Sequence, residues 1–229
     1  MNFKELKELN LYDNKISDIK VLENVKFYKL EKLNLEANNI SNINILQNVN
    51  FKELKELNLS YNEISDIKVL EKVKFIELIH LYLGHNNISD IGVLEKVKFN
   101  NLIHLNLTFN NISDINILEK VNFKELKVLY LNSNKISDIK VLENVKFEKL
   151  EKLGLSSNKI SDINILEKVN FKELKVLNLG CNNISDIKVL ENVKFEKLEE
   201  LYLYDNKIDK VKYSSLILKL KSKIKTFII

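Results

Sequence analysis

The chain has no proline, no tryptophan and no arginine, and its 229 residues include only one cysteine, Cys181, and four glycines. Each shortage removes a class of function. All 36 basic residues are lysines, mobile point charges that lack the planar fork with which arginine reads phosphates and base edges in pairs of hydrogen bonds. Sequence-specific nucleic-acid recognition is therefore not expected, and the net charge of +4 adds no strong polyanion attraction. A single thiol excludes a disulfide framework and a four-thiolate zinc site. No apolar run approaches the roughly 20 residues that cross a bilayer, so no membrane partner is expected. The opening "MNFKELKELN" is charged, without a basic and then apolar leader, so no signal peptide is expected. The expected compartment is the cytoplasm, unless a leader has been removed.

What is present is repetition. Phe3 returns as Phe27, Phe51, Phe75, Phe99, Phe123, Phe147, Phe171 and Phe195, always 24 residues apart. An asparagine keeps the same step, from Asn14 through Asn38, Asn62, Asn86, Asn110, Asn134, Asn158 and Asn182 to Asn206. Self-similarity at this period marks a solenoid, in which one unit cannot bury its apolar face and stacked units can. Leu9 and Leu11 flank an outward residue, which predicts a short strand with leucines pointing inward. The asparagine is expected to turn the chain and to satisfy buried backbone groups of adjacent coils with its amide. Ser17, Asp18 and their counterparts should begin and cap a short helical turn on the opposite side. The nine phenylalanines should stack as a spine.

The frame "LKELNLYDNKI", residues 6–16, is LxxLxLxxNxI, and all nine copies keep its five marker positions. This resembles the leucine-rich repeat family. The following "ISDIKVLENVKF" resembles the internalin-like subclass, with about two extra residues before the next strand. The resemblance covers residues 3 to about 211 and implies an α/β leucine-rich repeat solenoid. Such a fold is a right-handed superhelix with a parallel sheet on the concave face and short helical turns on the convex face. Nine repeats are expected over 1–211 and a C-terminal cap over 212–229. Within that cap, Ser214, Leu216, Ile217 and Leu220 suggest a short helix and "IKTFII" a last strand. No equivalent cap is expected before Phe3, because Met1 and Asn2 lead straight into the first strand pattern; truncation or a very short native cap is the favoured expectation, and another molecule covering that end is the alternative.

The nine copies can be compared with one another. Their convex segments barely differ, whereas four outward ladders on and after the strand vary freely. Six of the eight tyrosines fall on these ladders: Tyr12, Tyr61, Tyr82, Tyr130, Tyr202 and Tyr204. So do all three histidines, His80, His85 and His104, and the one phenylalanine outside the spine and the cap, Phe109. Tyr61, His85 and Phe109 share a ladder, so an aromatic row is expected across coils three to five. The four ladders carry two lysines against six acids, a net of −4, which leaves about +8 for the rest of the chain. A polyanion-binding face would be basic.

His80 and His104 should sit side by side on adjacent strands about 4.8 Å apart, while His85 lies about 15 Å further along. Two imidazoles without a third ligand make no expected zinc site. No Ser-His-Asp or paired-carboxylate arrangement stands out, so no catalytic role and no cofactor are expected. Two readings of the histidines remain: drift on a solvated surface, or membership of one recognition patch. On the second, the partner-binding residues are Tyr61, His80, Tyr82, His85, His104, Phe109, Tyr130, Tyr202 and Tyr204, and binding should weaken near pH 6 as imidazoles charge. The expected function is a non-catalytic module that binds a protein or peptide on its concave face. The alternative is a structural array that stacks, for example as a homodimer, through an uncapped N-terminal coil.

Overall fold

The computed structural model describes residues 3–229; Met1 and Asn2, on which the expectation of a missing N-terminal cap rests, lie outside the described residues. Ten short parallel strands form one sheet in sequence order. They are β1 (Glu8–Asn10), β2 (Lys32–Asn34), β3 (Glu56–Asn58), β4 (His80–Tyr82), β5 (His104–Asn106), β6 (Val128–Tyr130), β7 (Lys152–Gly154), β8 (Val176–Asn178), β9 (Glu200–Tyr202) and β10 (Thr226–Ile228). From β1 to β9 each residue pairs with the one 24 positions later, as Leu57 does with Leu81 and His80 with His104. Eight 3-10 turns, from Lys20–Asn24 to Lys188–Glu191, line the other side. This is a leucine-rich repeat solenoid, right-handed as parallel crossovers are.

The LxL pattern sets the inside and outside of each strand. The central leucines of β2 to β9 are buried, and their neighbours on either side point outward. The strand stops after three residues because of a conformational event that the sequence pattern places one residue too late. The left-handed residue is the one preceding the asparagine: Asp13, Ala37, Tyr61, His85, Phe109, Ser133, Ser157, Cys181 and Asp205 all have φ between 53° and 56°. None is glycine, so each carries a cost on the order of 1 kcal/mol against Cβ crowding. Its amide donates to the following coil, as Tyr61 does to the Gly84 carbonyl at 2.9 Å.

The asparagine does the satisfying. Nδ2 of Asn86 donates to the carbonyls of Leu59, Leu83 and Gly84 at 2.9, 3.2 and 3.2 Å, and Oδ1 accepts from the Ile64 amide at 2.9 Å. One buried side chain therefore joins two coils, giving the Ile64 amide its one acceptor and each carbonyl a second donor beside Asn62, Asn110 or the Tyr61 amide. On the convex side, Asp18 Oδ1 accepts from the Lys20 amide at 2.8 Å, and the same bond recurs at Asp66, Asp90, Asp114, Asp138, Asp162 and Asp186. The aspartate, and not the serine before it, caps the turn. Phenylalanine rings touch from Phe3 to Phe27, Phe51 and Phe75, with centroids 6.0, 6.2 and 6.5 Å apart. Phe99, Phe123, Phe147 and Phe171 continue the row in buried positions, and Phe195 is half-buried.

The frame ends earlier than the sequence suggests. Val211 keeps the spacing of the buried Ile187 yet is 86% exposed. Asp209 Oδ1 accepts from the amides of both Val211 and Lys212, which turns the chain outward. Tyr213 is buried in its stead, its hydroxyl donating to Asp186 Oδ1 at 2.8 Å. Helix α1 (Ser214–Lys223) then buries Leu216, Ile217 and Leu220 against the last coil. β10 pairs with β9, and its Ile228 carbonyl accepts from the Leu203 amide at 2.7 Å, the bond that a further coil would have supplied.

Candidate binding surface

The outward ladders bring the aromatic side chains together in two rows. At the left-handed position, Tyr61 stacks on His85 with ring centroids 3.8 Å apart and planes 11° apart. His85 in turn stacks on Phe109 at 4.2 Å and 22°. Tyr61 and Phe109 are about half exposed. On the strands themselves His104 is the hub: its ring meets Tyr82 edge-on at 4.9 Å, Tyr130 at 5.4 Å and His80 at 6.1 Å. His80 and Tyr82 lie nearly parallel at 6.1 Å. Seven of the nine residues singled out in the sequence thus fall in one region as two separate rows, Tyr61, His85 and Phe109 at the turn and His80, Tyr82, His104 and Tyr130 on β4 to β6.

Tyr202 and Tyr204 do not join it. They meet each other edge-on at 6.5 Å on the last repeat, and the Tyr202 hydroxyl donates to Glu200 Oε2 at 2.6 Å. Glycines make room for rings at two places on the sheet. A Cβ on Gly180 would come within 2.5 Å of the Tyr204 ring, and one on Gly154 within 2.9 Å of the Tyr130 ring.

Burial decides the electrostatics of the patch. Desolvation lowers the His104 pKa to about 4, helped by the nearby His80 and Lys152. His85 is also held below its ordinary value by burial, with Glu36 opposing. The expected weakening near pH 6 is therefore displaced: these two imidazoles gain their charge only at lower pH, because a ring packed among rings has lost its water. Burial first, and Glu56 second, raise the Tyr82 phenol. His80 Nδ1 and His104 Nε2 are sealed from solvent without a hydrogen-bond partner. Among the described residues no three His, Cys, Asp or Glu side chains converge to hold a metal ion, and no helix is long and apolar enough to cross a membrane.

Nine lysine–carboxylate pairs tie neighbouring coils together, such as Glu31 with both Lys7 and Lys55, and Glu151 with both Lys127 and Lys175. They hold those glutamates below their usual pKa, chiefly through the hydrogen bonds from Lys55 and Lys175. None of the nine uses a ladder acid: Glu8, Asp13, Glu36, Glu56, Glu200 and Asp205 make no ion pair among the described residues. Sequence comparison of the ladders missed the residues that set the depth of the patch, Ser60 and Gly84, which line a hollow with Tyr61, Tyr82 and His85. Two small residues in a row on one ladder, each followed by an aromatic ring on the next, were the available signal.

A regular solenoid with a fixed core and a variable outward sheet defines a class of repeat proteins built to present a surface. The family model described as leucine-rich repeats in two copies matches six overlapping segments, 52–96, 76–120, 100–144, 124–168, 148–192 and 172–217. The chain belongs to the leucine-rich repeat family. No curated protein matches its sequence. Among solved structures, it is similar to internalin C2 of Listeria monocytogenes, with a TM-score of 0.70 and 24% identity over 90% of this chain and 82% of that one. Internalin F of the same organism gives a TM-score of 0.54 and 23% identity, covering 98% and 81%. A plant peptide hormone receptor solved with its peptide, RGFR1 with RGF2, gives a TM-score of 0.66 and 19% identity, covering 87% of this chain and only 32% of that one.

Proposed function

We propose that the protein is a non-catalytic binding module that takes a protein or peptide partner on the concave face, centred on β3 to β6. The observation that carries this reading is the gathering of rings into two neighbouring rows: Tyr61, His85 and Phe109 form one stacked row beside a second cluster around His104. Scattered exposed rings need no explanation, but two rows of rings, each held in contact across three coils, offer large rigid area at low entropy cost. One structural neighbour, the plant peptide hormone receptor solved in complex with a peptide, agrees in kind. A cytoplasmic setting, with neither nucleic acid nor membrane as partner, belongs to the same proposal.

The test is partner capture with the wild type and with a Tyr61→Ser, Phe109→Ser variant. Both side chains are half exposed, so the variant should keep its fold, which circular dichroism checks. A partner retained only by the wild type supports the reading; equal capture by both sinks it.

A second reading, assembly through the first coil, rests on a separate observation. Phe3 is 49% exposed and Leu6, Leu9 and Leu11 are half-buried, where their counterparts in the middle coils are fully buried. A dimer by light scattering that Leu9→Asp abolishes would favour it, and a monomer at all concentrations would dismiss it.

A further inference from the structure

Between the two aromatic rows lies a hollow of about 280 Å³. Ser60 and Gly84 line it with the rings of Tyr61, Tyr82 and His85 and the side chain of Glu36, and the rest of its lining is polar. Gly84 lets the next coil pack closely beside it, since a Cβ there would press to 3.3 Å from the Thr108 carbonyl oxygen. Glu36 is half-buried, and its side chain accepts one hydrogen bond, from Asn58 Nδ2 to Oε2 at 2.7 Å. It has no lysine partner, although the chain pairs its flanking glutamates with lysines nine times over.

A carboxylate in a hollow that combines three aromatic rings with polar side chains, on outward ladders of net charge −4, is complementary to a flat cation with several hydrogen-bond donors. Resting on the concave-face reading above, we infer that this hollow receives an arginine side chain of the partner. The guanidinium can present its fork of N–H donors to Glu36 while its plane lies against an aromatic ring. An ammonium is also drawn to a ring face, but as a point charge it lacks the planar fork that pairs with a carboxylate while lying flat on the ring. The chain itself contains no arginine, so none of its own residues competes for the hollow in this way.

The experiment is selection of random phage-displayed peptides on the full chain, followed by affinity measurement with three variants. Glu36→Gln keeps the shape and the acceptor for Asn58 while removing the charge. Phe109→Ser tests the concave face apart from the hollow, and Glu200→Gln serves as a distant control. The expected result is a pool enriched in arginine whose best peptide loses at least about tenfold in affinity on Glu36→Gln and nothing on Glu200→Gln. Replacing that peptide's arginine by citrulline should cost a similar factor on the wild type and little more on Glu36→Gln, the signature of a direct pair. Peptides that need Phe109 but show no arginine preference, or prefer lysine, or ignore Glu36→Gln, would overturn the arginine pocket and leave the concave-face reading standing. A pool indifferent to both Phe109→Ser and Glu36→Gln would overturn both.

Discussion

The imidazole of His85 lies flat on the phenol ring of Tyr61, 3.8 Å away, although neither residue belongs to a regular strand. Both sit in the left-handed conformation that ends the strand of their coil, and their amides donate to the next coil at 2.9 and 2.8 Å. The backbone that costs each residue some strain therefore also fixes the spacing and direction of its ring. A row built on this position is preorganised, and a partner need not pay to order it.

The buried imidazole makes stability depend on acid. His104 has a folded pKa of about 4, below the ordinary 6.5, so the unfolded chain binds the extra proton first as pH falls. Its contribution is fully present above pH 6.5 and is lost as pH drops through 4. About 1 to 2 kcal/mol should disappear over that window, after allowance for the ring's partial exposure to solvent. Melting temperatures of the wild type and His104→Gln, taken at about pH 7 and about pH 4, check this: the wild type should lose more. An equal loss in both would place the acid sensitivity elsewhere.

The asparagine ladder should be unequal in strength along the chain. Asn86→Ala leaves the buried Ile64 amide without a partner and strips one of two donors from the carbonyls of Leu59, Leu83 and Gly84, which keep Asn62, Asn110 and the Tyr61 amide, and should cost about 2 to 3 kcal/mol. Asn14→Ala removes two exposed bonds, to the carbonyls of Leu11 and Tyr12, and should cost less than about 1 kcal/mol. Urea denaturation of the two variants tests the contrast.

Val211 offers a direct comparison between spacing and packing. Val211→Lys should change stability by less than about 0.5 kcal/mol, because the side chain already stands in solvent. Ile187→Lys, one repeat earlier and fully buried, should unfold the last coils outright. If Val211→Lys is as damaging as Ile187→Lys, the chain does not leave its frame at Asp209.

These cases show what the sequence could and could not disclose. Strand, core and asparagine positions were legible because each is repeated nine times and obeys a period set by backbone geometry. The left-handed position was not, since Phe109, His85 and Tyr61 share no residue type that announces positive φ. Val211 misled because spacing records an ancestral frame, whereas burial depends on whether another coil follows. The aromatic row was visible as a ladder. The hollow between the rows was not, because its depth comes from what Ser60 and Gly84 lack, and its charge from Glu36 on another coil.

Phe109→Gly separates stability from function at the centre of the patch. Position 109 has a φ of 53°, which glycine adopts without Cβ strain, so the change gains on the order of 1 kcal/mol there. It forfeits a stacked contact with His85 worth about 0.5 to 1.5 kcal/mol, partly weakened by the ring's exposure. Folding stability should therefore stay within about 1 kcal/mol of the wild type. Ser157→Gly, with a φ of 54° and no ring to lose, should be stabilised by about 1 kcal/mol and acts as the reference. If the phenylalanine were there to hold the coils together, Phe109→Gly would melt well below Ser157→Gly and below the wild type. If it is there to meet a partner, melting temperature will hold while captured partner or selected peptide falls away, because a strained aromatic that adds no stability is what a binding surface would retain and a scaffold would not.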